Sequence, residues 1–413
     1  MSDKQKRADS DKQEQANIEA NAAFGALQGL RVIELGQLIA GPFCGQLMAD
    51  HGAEVIKVEE PGAGDPMRQW GRVPVWWPVV ARNKKSVTLN LRTSAGQEIL
   101  KKLVARSDFL LENFRPGTLE RWGLGYDVLA QINPGLIMIR VSGFGQTGPY
   151  AKRAGYGSIG EAMGGMRNLA GDPSTPPSRI GLSIGDALAA TYACLGALMA
   201  LNHRHRTGHG QVVDSAIYEA VLAMMESAVP EYTEAGIVRE RSGSILPKVA
   251  PSNVYPTQDS YILIAANQDS VFRRLAEAMG RPALADDPRY ATHVARGEHQ
   301  GELDEIIRQW SKDFTATDLL ALMEVHGVPA GKIYKAPDML DDAHFKAREA
   351  LVRVTHPNFK NLWMQNVFPK MSETPGRINW TGPTLGQHQQ EIYGKLLGLS
   401  ESEMQSLKNE GVI

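Results

Sequence analysis

At 413 residues the chain is too long for one small core; at roughly 150 residues per domain it predicts two or three domains, or one large α/β unit with a satellite. Its 44 Lys and Arg against 46 Asp and Glu leave a net charge of −2, which removes the electrostatic ground for a nucleic-acid or anionic-membrane partner. With 43% hydrophobic residues, 22% charged ones and only Cys44 and Cys194 as cysteines, wholesale disorder, a disulfide scaffold and a Cys-rich zinc site are excluded, and the cytoplasm is the simplest compartment.

Residues 1–25 carry almost nothing to bury and predict a disordered or helical N-terminal extension; lacking an apolar h-region, they do not read as a secretory signal. Leu30-Arg-Val-Ile-Glu-Leu35 predicts a strand, Gly41-Pro42 opens a helix that Gly52 ends, and Ala53–Val58 predicts a second strand, together one βαβ unit. Alternation continues through strand Ser86–Leu91, helix Ala95–Ala105, strand Phe109–Glu112, helix Leu119–Trp122 and strand Leu136–Ser142. This predicts an α/β fold, a Rossmann-like domain with a mainly parallel, doubly wound sheet. Ala187–Leu201 is the longest apolar run, but it is shorter than the ~20 residues of a span and closes on Asn202-His-Arg-His-Arg206. It therefore predicts a buried helix with a cationic last turn and no membrane insertion. The pattern changes near Ser227. A hairpin (Ser252–Tyr255, Tyr261–Ile264) and helices Val271–Met279, Leu303–Trp310 and Ala316–Glu324 predict a smaller α+β domain over residues 242–325. Helices Gln389–Leu397 and Glu401–Asn409 follow.

The turn after the first strand, Gly36-Gln-Leu-Ile-Ala-Gly41, is not G-x-G-x-x-G, so NAD binding is not expected despite Glu59-Glu60 after the second strand. Of His203, His205 and His209, only the last two have helical ligand spacing, and Gly208 and Gly210 interrupt it; no metal site is expected. No Walker A run occurs, so a P-loop NTPase is not expected. Arg82-Asn-Lys-Lys85, Arg92, Arg115 and Arg121 flank the strands where doubly wound sheets bind ligands. They suit a polyphosphate, or are scattered surface charge. In Gly181-Leu-Ser-Ile-Gly-Asp186 the carboxylate stands at the start of the apolar helix. It is either a helix cap or a covalent nucleophile with open glycine backbone before it and an apolar helix behind it to exclude water.

Taken together, these pieces resemble the class III CoA-transferases, the family of formyl-CoA transferase, carnitine CoA-transferase and, by divergence, α-methylacyl-CoA racemase. The resemblance rests on Leu30-Arg-Val-Ile-Glu-Leu35, Ala40-Gly-Pro-Phe43, Gly52-Ala-Glu-Val-Ile-Lys-Val-Glu59, Pro61-Gly-Ala-Gly-Asp65 and Asn83-Lys-Lys-Ser86. It continues through Glu112-Asn-Phe-Arg-Pro-Gly117, Ser142-Gly-Phe-Gly-Gln-Thr-Gly-Pro149, Gly185-Asp186 and Leu385-Gly-Gln-His388, in order over nearly the whole chain. It implies an interlocked homodimer, each chain threading the ring of the other. The large domain would be built from both ends of the chain, with 335–413 completing 26–226. It implies Asp186 as nucleophile and CoA contacts at Ile39, Ala40, Leu89, Asn90, Leu91, Arg92, Asn113, Phe114, Arg115, Arg121 and Tyr156. Glu60 stands where some relatives carry a cation, and Gly157 where many carry an acid. CoA thioesters are then substrates, with no tightly bound cofactor.

Racemases of this family resemble one another in a His-Asp pair at the Tyr156-Gly157 position; a tyrosine with pKa near 10 is a poor base, which disfavours that alternative. Residues Tyr156–Met166 with Arg179–Asp186 are most similar to the branch that moves CoA from succinyl-CoA to glutarate, hydroxymethylglutarate, itaconate, mesaconate or malate. The resemblance thus implies a reversible CoA transfer through an aspartyl–acyl anhydride and an aspartyl-CoA thioester. A second substrate carboxylate calls for a cation, for which Arg153, Arg167, Arg179 and Lys248 are candidates. The remaining alternatives are a formyl-CoA or carnitine-type transferase and a non-catalytic CoA-binding protein of the same fold.

Overall fold

The computed structural model describes residues 24–413, so the expected N-terminal extension lies almost wholly outside the described residues. The chain divides into two compact units. The first holds the described residues up to Met166, Gly181–Val229 and Ala347–Ile413; the second holds Arg167–Ile180 and Pro230–Lys346.

In the first unit, strands β1 (Arg31–Glu34), β2 (Glu54–Glu59), β3 (Lys84–Thr88), β4 (Phe109–Glu112), β5 (Ile137–Ser142) and β6 (Val212–Ala216) form one parallel sheet. Their order is β3-β2-β1-β4-β5-β6. Adjacent residues along a strand point to opposite faces, and here both faces are apolar. Val32, Val55, Phe109, Leu111, Ile137 and Ile139 pack on one side, against helices α1 (Pro42–Asp50) and, later in the chain, the long helix from Ile184 to Thr207. Ile33, Ile56, Leu110 and Met138 pack on the other, with helix α2 (Ser94–Val104) and the C-terminal residues Ile392, Tyr393, Val412 and Ile413. The α/β expectation holds, and β6 is an additional strand that the alternation did not reveal.

Beyond β5 come helices α3 (Gly157–Met163) and α4 (Ile184–Thr207), and α5 (Ile217–Leu222) succeeds β6. By length and composition α4 could cross a bilayer. Instead it seats Ala189, Ala190, Ala193, Ala197 and Ala200 in the core, because small side chains let a helix approach the sheet closely. The expectation of a buried helix holds for that face alone: Leu195 is 47% and Met199 62% exposed on the other.

The free edge of β3 is covered by the C-terminal segment of the same unit. His388 N–H donates to the Ser86 carbonyl (2.9 Å), Ser86 N–H donates to His388 Nδ1 (3.1 Å), and Tyr393 O–H donates to the Thr88 carbonyl (2.8 Å). An open edge would template aggregation, so Leu385-Gly-Gln-His388 has a structural task. An antiparallel pair, β10 (Leu351–His356) with β11 (Phe359–Gln365), also belongs to this unit.

The second unit carries a three-stranded antiparallel sheet, β7 (Ser252–Pro256), β8 (Tyr261–Ala265) and β9 (Ala330–Lys332), which contains the expected hairpin. Helices α6 (Asp269–Ala278), α7 (Gln300–Ser311) and α8 (Ala316–Val325) bury Phe272, Leu275, Leu303, Ile307 and Leu319 against it. The last helix of the chain, α9 (Glu401–Asn409), returns to the first unit and starts with a capping box between Ser400 and Glu403.

Candidate active site

The strand order reverses between β1 and β4, the place where an open parallel sheet leaves a crevice beyond its C-terminal strand ends. The turn after β1 is held there by Asn113: its Oδ1 accepts the Gln37 N–H and its Nδ2 donates to the Gln37 carbonyl, both at 2.8 Å. Leu38 adopts a left-handed backbone (φ 62°), costly for a non-glycine residue, and Asp65 accepts its N–H at 3.1 Å. Asp65 also caps the turn Pro66–Gln69 and lies 2.7 Å from Lys57 Nζ, which accounts for the Pro61-Gly-Ala-Gly-Asp65 run.

An open cleft lies at these strand ends. Of the expected CoA contacts, Leu89, Asn90, Leu91, Arg92 and Phe114 line it. Gln37, Glu60 and Trp122 line it too; the turn after β1 was the signal for Gln37, but nothing local marked Trp122. Arg92 pairs with Glu60 at the rim. The other expected contacts lie beyond the lining. Ile39 packs beside Met67 and Trp77, Ala40 is buried against α1, and the Asn113 amide is engaged by Gln37. Arg115 lies on the loop after β4, and Arg121 donates to Thr118 Oγ1 (3.0 Å). Tyr156, 74% exposed, precedes α3.

Three cations read as ligand candidates are already paired. Arg82 donates to both carboxylate oxygens of buried Asp50, Lys84 reaches Glu34 Oε2 at 2.8 Å, and Lys85 bridges Glu54 and Glu391. They stand before β3 or at its start, whereas the cleft lies after it, so they serve the fold. Glu59, the acidic residue that ends β2, is held by two Arg68 nitrogens and by Ser86 Oγ.

Asp186 stands in the first turn of the 24-residue α4, where the helix dipole favours its charge. Its carboxylate abuts Gly157: a Cβ there would meet Oδ2 at 2.4 Å and Oδ1 at 2.8 Å. The structure thus brings Asp186 to the residue after Tyr156. The Ser142–Pro149 motif folds toward the same segment, since a Cβ on Gly143 would stand 3.0 Å from the Gly155 carbonyl. Its Ser142 Oγ accepts the Gly145 N–H (3.0 Å), and Asp214 of β6 accepts the Gln146 N–H (2.8 Å). Glu161, buried on the next turn of α3 and not singled out by any sequence motif, accepts the Gly185 N–H at 3.4 Å. Beneath the neighbouring loop, Glu112 binds Arg140 Nε and the Phe114 N–H, each at 2.7 Å. Burial outweighs these partners and pushes its carboxyl up to about 7.

The CoA-transferase family III profile matches residues 27–389. The chain belongs to CoA-transferase family III. This family III chain is 61% identical over 393 residues to the succinyl-CoA–D-citramalate CoA-transferase of Chloroflexus aurantiacus, covering 94% of this chain and 98% of that one. It is 42% identical over 396 residues to the succinyl-CoA–L-malate CoA-transferase beta subunit of the same organism, again 94% and 98% of the two chains. Among solved structures, a CAIB/BAIF family protein from Brucella suis superposes with a TM-score of 0.81 at 34% identity, covering 90% of this chain and all of that one. Membership together with 61% identity to a CoA-transferase over nearly the whole of both chains makes this a CoA-transferase, the enzyme class expected from the ordered motifs and the resemblance they carry.

Proposed function

We propose that this enzyme moves CoA reversibly from succinyl-CoA to a small dicarboxylic acid, with Asp186 as the covalent nucleophile. The observation that carries the reading is the Asp186 carboxylate presented at the first turn of α4 against bare glycine backbone. An Asp186 oxygen attacks the thioester carbonyl, the C–S bond breaks, and CoA thiolate leaves an aspartyl–succinyl anhydride. The thiolate then attacks the Asp186 carbonyl, expelling succinate and forming an aspartyl-CoA thioester. An acceptor carboxylate displaces the thiolate to give a second anhydride. The thiolate attacks the acceptor carbonyl, and Asp186 departs as carboxylate. Each intermediate keeps the activation of the first thioester, so water must be kept out.

The relatives' acceptors, D-citramalate and L-malate, are 2-hydroxy dicarboxylates, and this supports an acceptor of that class. In this reading the strand-end cleft, with Arg92 at its rim, receives the CoA moiety. The partly exposed apolar face of α4, with Leu195 and Met199, supports an interlocked homodimer, and the two free cysteines suit a cytoplasmic enzyme.

A panel of acids with succinyl-CoA, read by chromatography of the CoA esters, tests the substrate class. Dicarboxylates are expected to accept CoA; acceptance by monocarboxylic acids alone would overturn the assignment. Hydroxylamine trapping tests the nucleophile, with mass expected on the Asp186 peptide. An unmodified peptide together with full activity in Asp186→Ala would sink the covalent route.

A further inference from the structure

Helices α3 and α4 meet through a reciprocal exchange of glycine and carboxylate. The Asp186 carboxylate of α4 occupies the space that a side chain at Gly157 of α3 would need, with Oδ2, Cγ and Oδ1 at 2.4, 2.7 and 2.8 Å from an added Cβ. One turn along α3, the Glu161 stem occupies the space a side chain at Gly185 of α4 would need, its Cγ 3.0 Å away, with the Gly157 carbonyl at 3.2 Å. Glu161 Oε1 accepts the Gly185 N–H, so the residue immediately before the nucleophile is tied to a buried carboxylate on another helix. A carboxylate held at a helix's first turn satisfies one of its orphan N–H groups and favours that end of the dipole.

Helix α3 has no room to retreat from α4. A Cβ on Gly160 would stand 2.4 Å from Ile217 Cγ2, and one on Gly164, just past the helix, 2.6 Å from Val221 Cβ; both partners belong to α5. With α3 seated against α5, a methyl group at position 157 must be relieved at its other neighbour. That neighbour is the Asp186 carboxylate, the far end of a side chain that can turn aside.

We propose that Gly157 and Glu161 are positioning residues for Asp186: Gly157 supplies the space in which the carboxylate lies, and Glu161 fixes the helix turn that carries it. This rests on Asp186 being the nucleophile. The pair acts on the covalent step alone, since neither residue lines the strand-end cleft. A shift of about 1 Å in a reacting group can cost about 100-fold in rate.

The test measures formation of the Asp186–CoA adduct from succinyl-CoA in single-turnover mixtures, quenched and read by peptide mass, alongside steady-state kcat and KM. Gly157→Ala is expected to slow adduct formation about 100-fold with the KM for succinyl-CoA unchanged. Glu161→Ala is expected to show the same split, and Glu161→Gln to recover most of the loss, because an amide oxygen can accept the Gly185 N–H. Should Gly157→Ala fail to fold, the two Glu161 variants decide by themselves. Adduct formation at the wild-type rate in Gly157→Ala or Glu161→Ala, or a Glu161→Gln enzyme as slow as Glu161→Ala, overturns the positioning role. Asp186→Asn separates this from the underlying reading: full turnover in that variant, or an adduct on another residue, removes Asp186 as nucleophile.

Discussion

The carboxylate of Glu34 lies where a side chain at Gly45 would have to stand, its Oε2 1.8 Å from the position of an added Cβ. Glycine in a helix interior ordinarily costs about 1 kcal/mol relative to alanine, so Gly45→Ala in α1 would elsewhere stabilise. Here it is expected to destabilise by about 1–3 kcal/mol, because the displaced Glu34 is fully buried and cannot swing to solvent. Urea unfolding of the variant checks it, and an unchanged or raised midpoint would contradict it.

Lys84 and Lys57 share Glu34, with Nζ–O distances of 2.8 and 3.3 Å, and Asp65 completes a neutral group of four buried charges. Burial holds the Lys84 amine below its ordinary value, so its charge survives through Glu34. Replacing Lys84 by methionine leaves more negative than positive charge in the core. A loss of about 3–5 kcal/mol is expected, with part of it returned in the double variant Glu34→Gln, Lys84→Met. Denaturant midpoints of the single and double variants measure both.

Glu112 is held up near pH 7 by burial, against an ordinary value of 4.5. A raised carboxyl binds its proton more tightly in the folded state than in the unfolded one. Its stabilising contribution is therefore complete below about pH 4.5 and is lost as pH rises through about 7. Thermal unfolding of the wild type is expected to show this decline relative to Glu112→Gln between those limits. Parallel curves for the two proteins would refute the assignment.

At the rim of the strand-end cleft, Glu60 competes with any phosphate for Arg92, and both side chains are well exposed, at 44% and 65%. An exposed pair of this kind is worth little, about 0.2–1 kcal/mol. Glu60→Gln is accordingly expected to lower the KM for succinyl-CoA by about two- to fivefold, and Arg92→Ala to raise it. Initial rates at varied succinyl-CoA decide; a raised KM in Glu60→Gln would remove the cleft as the CoA site.

Local features made the parallel sheet and the first βαβ unit legible. The β-rich run Arg31–Glu34 and the Gly41-Pro42 helix start are set within a few residues of chain. Strand β6 escaped because Val212–Ala216 is partly exposed and acquires its identity from pairing with β5, some seventy positions earlier. The pair β10–β11 escaped for a similar reason, as its residues alternate only partly between buried and exposed.

The ordered motifs, through the family resemblance they carry, determined the class of this protein: an α/β enzyme of a CoA-transferase kind, with Asp186 as its candidate nucleophile. A near-zero net charge could exclude partners, but it could not say which cations were available. Tertiary structure decided that, assigning Arg82, Lys84 and Lys85 to Asp50, Glu34 and Glu54 and setting Arg92, with its exposed partner Glu60, at the rim of the cleft. It also decided what surrounds Asp186, because the contacts of Gly157 and Glu161 with residues 185 and 186 depend on how closely two helices approach. Charge and periodicity are written along the chain; pairing of charges and close approach of backbones exist only once distant segments are packed.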